Sequence, residues 1–330
     1  MSKQSLESQA IDHFFRLVFL VCLALTVAGC NWVKLLSVSG AGAQGNSGST
    51  QASISHDGRY VAFASSADNL VAGDTNASWD VFVSDTLAGT TTRVSIDSAG
   101  TQVNGTSNSP SISGDGRYVA FYSNASDLVA GDSNAKFDIF VRDSVAGTTS
   151  RASVDSAGAQ ANNISFQPAI SDDGRYVTFH SGATNLVAGD NNANYDVFVR
   201  DTVAGTTALV SVDTAGNQGN SISFDSSISD DGRYVAFTSS ADNLVAGDTL
   251  ADDIFVRDRV AGTTSRVSVD SAGAQSNGNS SDPSISGDGR YVAFYSFASN
   301  LVVGDNNGTW DIFVHDTVTG TTALISVDTA

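Results

Sequence analysis

The sequence predicts an all-β protein, a five-bladed β-propeller of four-stranded antiparallel blades behind a short N-terminal leader. Three observations carry that expectation. A ten-residue phrase recurs five times: HDGRYVAFAS from His56, GDGRYVAFYS from Gly114, DDGRYVTFHS from Asp172, DDGRYVAFTS from Asp230 and GDGRYVAFYS from Gly287. The glycines of its DGRY core, Gly58, Gly116, Gly174, Gly232 and Gly289, stand 58, 58, 58 and 57 residues apart, the regular period of a repeat architecture. The strands of each unit carry apolar residues on both faces, so every sheet needs cover on both sides, and copies packed radially around an axis supply it.

In the first unit a short strand around Ile54 is followed by a second at residues 59–65, a third at 80–85 and a fourth at 92–97. Asp57-Gly58 joins the first two, because glycine tolerates the positive φ of a tight hairpin. Tyr60 and Ala62 face one side of the second strand while Val61 and Phe63 face the other; Val81, Phe82 and Val83 repeat the pattern in the third. The fourth, Arg93-Val94-Ser95-Ile96-Asp97, alternates polar and apolar like an outer strand with one wet face. A β-solenoid is the rival architecture, but 58 residues with hairpin turns are too many for one of its coils. Residues 34–44, KLLSVSGAGAQ, match the end of a unit, RVSVDSAGAQ at 266–275, so the chain starts on a lone outer strand and ends on another at 323–328. A closed ring with the N-terminal strand packed near the last blade is the arrangement this suggests, since closure hides apolar faces that an open arc exposes.

The repeated pattern SxDGRYVAF…DIFVRD resembles the propeller repeats of TolB-type proteins, relatives of the WD-repeat propellers. The resemblance covers about residues 45–330 and implies the fold. It does not extend to an α/β domain before the repeats, and the loops here are longer, so TolB's partners are not implied.

Both cysteines, Cys22 and Cys30, precede the repeats, which therefore hold no disulfide. Lys3 and Arg16 precede an apolar segment at 17–28, LVFLVCLALTVA, too short for a bilayer span and suited to a secretory leader. It ends in Val27-Ala28-Gly29-Cys30, which resembles the lipobox of bacterial lipoproteins. That resemblance implies a signal peptide at 1–29, acylation of Cys30, and a lipidated tether with the lone outer strand at 30–44. Several acyl chains hold a protein on a membrane more firmly than the marginal grip of one. Asn31 stands where aspartate would favour the inner membrane, so the expected address is the cell envelope, at the outer membrane and facing the periplasm or the surface. The lipid anchor is the only membrane contact expected.

The net charge of −19 is carried after the leader by aspartate alone, the single glutamate being Glu7. Such a surface excludes nucleic acid as a partner and leaves cations and basic surfaces open. The loop before the third strand places Asp74, Asn76 and Asp80 at spacings that resemble calcium loops; the copies are Asp132, Asn134, Asp138, then Asp190, Asn192, Asp196, and Asp305, Asn307, Asp311. The competing reading is that these side chains bond their own backbone and make turns. The arginines after each DG are expected to pair with nearby aspartates. His56, His180 and His315 occupy different repeat positions and read as surface substitutions.

No catalytic residue is assigned. The aspartates mostly recur in register, so none stands out as an acid or a base, and no G-x-S-x-G context occurs. The expected function is a non-enzymatic binding or scaffold module that contacts a protein or a glycan through its loop faces, with Trp79, Phe137, Tyr195 and Trp310 as contact residues. The alternatives are a propeller glycosidase or lyase, and a calcium-stabilised adhesive protein; no cofactor is required unless calcium is one.

Overall fold

The computed structural model describes residues 34–249 and 251–327. Five four-stranded antiparallel sheets follow one another, each ordered as the chain runs. Blade 1 comprises β1 (Ser49–Ile54), β2 (Tyr60–Ser65), β3 (Asp80–Asp85) and β4 (Thr90–Arg93). Blade 2 comprises β5 (Ser107–Ile112), β6 (Tyr118–Ser123), β7 (Asp138–Asp143) and β8 (Thr148–Arg151). Blade 3 comprises β9 (Ser165–Ile170), β10 (Tyr176–Ser181), β11 (Asp196–Asp201) and β12 (Thr206–Leu209). Blade 4 comprises β13 (Ser223–Ile228), β14 (Tyr234–Ser239), β15 (Asp253–Asp258) and β16 (Thr263–Arg266). Blade 5 comprises β17 (Ser280–Ile285), β18 (Tyr291–Ser296), β19 (Asp311–Asp316) and β20 (Thr321–Leu324). The innermost strands of all five surround one axial channel, so the architecture is a five-bladed β-propeller.

The two apolar faces of each sheet divide the core between neighbours. Ala62, Val81, Val83 and Val94 of blade 1 pack on Val119, Phe121 and Phe140 of blade 2; Ala120, Ile139, Val141 and Ala152 of blade 2 pack on Val177, Phe179 and Phe198 of blade 3. Inside each sheet two phenylalanines pair across the second and third strands, as Phe63 with Phe82 at 5.8 Å between ring centres. Each arginine after a DG turn forks onto the aspartate that ends the third strand rather than onto the turn's own: Arg59 donates to Asp85 from Nε at 3.1 Å and from Nη2 at 2.7 Å while lying over Tyr60. Asp85 also accepts the Leu87 and Ala88 amides, and its pKa falls to about 2, chiefly through the Arg59 bond. One carboxylate thus ties two hairpins together.

The fourth strand ends earlier than its alternation suggests. Val94 still donates to Val81, but the Val81 amide turns to the Ser95 hydroxyl, which itself donates to Asp80 at 2.6 Å. The side chain replaces the backbone as partner, and the chain leaves the sheet.

Four blade interfaces are made in full and the fifth is not. Tyr60, Tyr118, Tyr176 and Tyr234 each press their ring on a glycine of the next blade's DG turn: Gly116, Gly174, Gly232 and Gly289. Tyr291 has no such seat on Gly58 and is 41% exposed. Ile312 of blade 5 is 44% exposed where Ile139, Val197 and Ile254 are fully buried. The N-terminal outer segment packs on blade 1, not near blade 5: Val38 pairs with Gln44, the Val38 carbonyl accepts from Thr91, and Gly45 sits against Ala67 and Leu70. Every inter-blade linker does the same to the blade that follows it, as when the Ile96 carbonyl accepts from Thr149. The expected closure therefore fails because this segment repeats a linker's role, which directs it forward along the chain.

Candidate functional site

Each innermost strand carries a bulge, and at each bulge a non-glycine residue holds a left-handed backbone: Gln51 (φ 55°), Ser109 (48°), Gln167 (48°), Asp225 (48°) and Asp282 (52°). Such a conformation costs on the order of 1 kcal/mol or more per residue, and surroundings that impose it five times at one level mark a site. All five line a cavity of about 350 Å³ on the axis. The chain's three prolines, Pro110, Pro168 and Pro283, follow three of them on the same wall, where an innermost strand has no further ladder for an amide to join.

A chain of polar contacts runs round this level. The Gln51 side-chain carbonyl accepts the Ser109 amide at 3.1 Å, and Asp225 faces Gln167 on one side and Asp282 on the other. Burial first, then the facing Asp282 carboxyl, push the Asp225 pKa up to about 6. No lysine or arginine lines the cavity.

One mouth of the channel is formed by the DG turns. The His56 amide donates to the Gly114 carbonyl at 3.0 Å, and Gly114 to Asp172, Asp172 to Asp230 and Asp230 to Gly287 follow in turn. Among the described residues no fifth link joins Gly287 to His56. His56, Asp172 and Asp230 bring a nitrogen and two carboxylate oxygens within 4.8 Å of one another here.

In the loops expected to hold calcium, the side chains bond one another. In blade 1, Arg93 stands 3.3 Å from Asp74 and 3.5 Å from Asp80, and the Gln102 amide donates to both. Asn76 accepts the Ser78 amide as a local turn and donates to Asp80 and to the Val103 carbonyl. Asn134 and Asp138 repeat this, with Arg151 3.9 Å from Asp132. In blade 3, Leu209 replaces the arginine; Gln218 donates to Asp190 and Asp196, Asn192 caps its own turn, and burial pushes Asp196 up to about 6. In blade 5, Leu324 does likewise, Asn307 donates to Asp311 at 2.7 Å, and Asp305 stands in the same loop. Oxygens that a cation would need are engaged by guanidinium and amide groups in blades 1 and 2.

The four expected contact aromatics each stand directly before a third strand, and the Trp79, Phe137 and Tyr195 carbonyls accept from the first residue of the next inner strand. Phe137, Phe166, His180 and Tyr195 touch in series at 5.3, 6.1 and 5.7 Å. Trp310 lies 4.9 Å from Tyr295 and is half exposed, while Trp79 is half-buried against Gly48. His180 and His315 are not surface substitutions: both are buried, His180 among those rings with its pKa lowered to about 4 by burial, and His315 bonded to Thr322. Cys30 and the leader lie outside the described residues. Among those described, no helix is long and apolar enough to cross a membrane.

The axial residues escape a reading in which the aspartates recur in register, whereas Asp172, Asp225, Asp230 and Asp282 fill positions that other units give to other residues. The alignable signal was present. In the unit phrases STQASI, SNSPSI, SFQPAI, SFDSSI and SSDPSI the third position reads Gln, Ser, Gln, Asp, Asp, and the residue before each DG reads His, Gly, Asp, Asp, Gly.

The arrangement defines a repeat β-propeller with a divergent polar axis inside a conserved-pattern shell. No protein family described from sequence matches the chain, and no curated relative does. Solved structures share the fold. TolB from Acinetobacter baumannii is 16% identical with a TM-score of 0.49, over 84% of this chain and 53% of that one. A TolB-type protein from Agrobacterium tumefaciens is 16% identical with a TM-score of 0.53, over 84% and 80%. The β-propeller domain of the Trilobed protease from Pyrococcus furiosus, described as having an open velcro topology, is 12% identical with a TM-score of 0.52, over 84% and 70%. The chain thus spans about half the length of the first of these and has the TolB-type propeller fold.

Proposed function

We propose that the protein is a non-enzymatic binding propeller of the bacterial cell envelope, held there through Cys30, that receives a cationic group of a protein partner in its axial channel. The observation that supports this reading is the ring of five left-handed bulge residues, Gln51, Ser109, Gln167, Asp225 and Asp282, which line one level of the channel with polar side chains. A wall with two carboxyls and no basic residue favours an ammonium or guanidinium, and strain held at one level presents those groups preorganised. The exposed Trp310 and Phe297 add apolar contact beside the loops.

The enzymatic reading finds one supporting feature, the Asp225–Asp282 pair with its raised pKa. The two carboxyls face each other on neighbouring inner strands, whereas glycosidase pairs stand about 5–9.5 Å apart to flank a sugar bond. A glycan partner remains the alternative occupant.

The test is binding of arginine- and lysine-rich peptides, followed by fluorescence anisotropy. Asp225→Asn with Asp282→Asn should weaken binding about tenfold or more and flatten its salt dependence. Binding should also tighten from pH 5 to pH 7 as Asp225 ionises. Unchanged affinity in the double variant, or glycan cleavage that the variant abolishes, would overturn the reading.

A further inference from the structure

At the DG-turn mouth, the side chains of His56, Asp172 and Asp230 are uncommitted in a structure where their neighbours are not. Asp57, Asp115, Asp173, Asp231 and Asp288 each accept a serine hydroxyl and an arginine amide of their own turn. No hydrogen bond or salt bridge to protein engages the imidazole of His56 or the carboxylates of Asp172 and Asp230 among the described residues, yet their ligand atoms converge within 4.8 Å. Two carboxylates that close repel each other unless a cation stands between them.

Two glycines make the convergence possible. A Cβ on Gly114 would lie 1.6 Å from Asp172 Oδ1, and one on Gly287 would lie 2.0 Å from Asp230 Oδ2. Each carboxylate therefore rests on the turn of a neighbouring blade, and those two turns flank His56 in the ring. Glycine is required at these positions for space, since neither has a positive φ. The sequence supplies glycine at the two positions where any side chain would push a carboxylate away, and histidine at the point toward which both lean.

We propose that His56, Asp172 and Asp230 bind one divalent first-row transition cation, joining blade 1 to blades 3 and 4 across the mouth of the axial channel. One imidazole and two carboxylates suit Mn²⁺ or Zn²⁺ better than Ca²⁺, which takes oxygen ligands alone, and three protein ligands leave positions for water. The cation sits where the backbone ladder lacks its link from Gly287 to His56, so it braces the ring at its open seam. This site is independent of the partner-binding reading, which rests on a different level of the channel.

The probe is Mn²⁺, which carboxylate ligands suit and whose unpaired electrons report a coordinated imidazole nitrogen. Chelator-treated full-length protein is titrated with MnCl₂, with bound metal counted after dialysis and ¹⁴N couplings read by pulsed electron paramagnetic resonance. One ion per chain, an imidazole nitrogen coupling, and binding about a hundredfold weaker in both His56→Gln and Asp230→Asn are expected. His56 is exposed and His56→Gln leaves the charge of the acidic surface intact, so diffuse binding to aspartates would survive that change. No binding below millimolar Mn²⁺, or equal binding by wild type and His56→Gln, overturns the proposal.

Discussion

The junction of blades 2 and 3 and the seam between blades 5 and 1 are built from equivalent repeat positions and have opposite fates. At the junction Ile139 is fully buried, Tyr118 covers Gly174, and Ala152 lies 2% exposed against the next sheet. At the seam Ile312 is 44% exposed, Tyr291 is 41% exposed and Ile325 is 53% exposed. The repeat thus specifies a face, and burial follows only where another blade meets it. A sheet face contributes stability through the area its neighbour removes from water, so equal letters do not carry equal energies.

Matched substitutions at the two places sharpen that contrast. The largest effect belongs to the phenylalanine pairs inside blades with two neighbours: Phe198→Ala, at a fully buried position, should cost about 3–5 kcal/mol in denaturant unfolding. Ile139→Ala should cost about 2–4 kcal/mol, while Ile312→Ala should cost less than half as much. Equal losses at these two positions would mean that the seam is packed in solution.

A second contrast runs through the loop networks, where Arg93, Arg151 and Arg266 become Leu209 and Leu324. Asp196 has a native pKa of about 6 against 3.8 unfolded, so the folded state holds its proton more tightly. Its contribution is fully present below pH 4 and is lost as pH rises through 6, by about 3 kcal/mol at most for roughly two pKa units. Leu209→Arg restores the counter-ion and should raise the melting temperature at pH 7, with the gain shrinking toward pH 4. The smallest effect is expected from Tyr291→Ala, within about 0.5–1 kcal/mol, against a clearly greater loss for Tyr118→Ala at the same repeat position.

Much of this was legible from the letters. A 58-residue period, DG turns and strands apolar on both faces suffice for five antiparallel blades, and the largest shift in strand bounds falls where Ser95 takes over a backbone bond, the fourth strand running 90–93 rather than 92–97. The forked pairing of Arg59 was foreseen in kind, but its partner proved to be Asp85, 26 residues away, because antiparallel pairing sets Tyr60 opposite that residue. The buried histidines were not foreseen, since a repeat position gives no exposure until it is known which face a neighbour covers.

By itself, then, the sequence determined the blades, because hairpin turns and period-two patterning are local and act within a few residues. Tertiary structure alone decided which copies of an apolar face become core, and which divergent side chains meet. Gln51, Ser109, Gln167, Asp225 and Asp282, like His56, Asp172 and Asp230, come together only because the inner strands share an axis, so residues some 58 positions apart become neighbours in space.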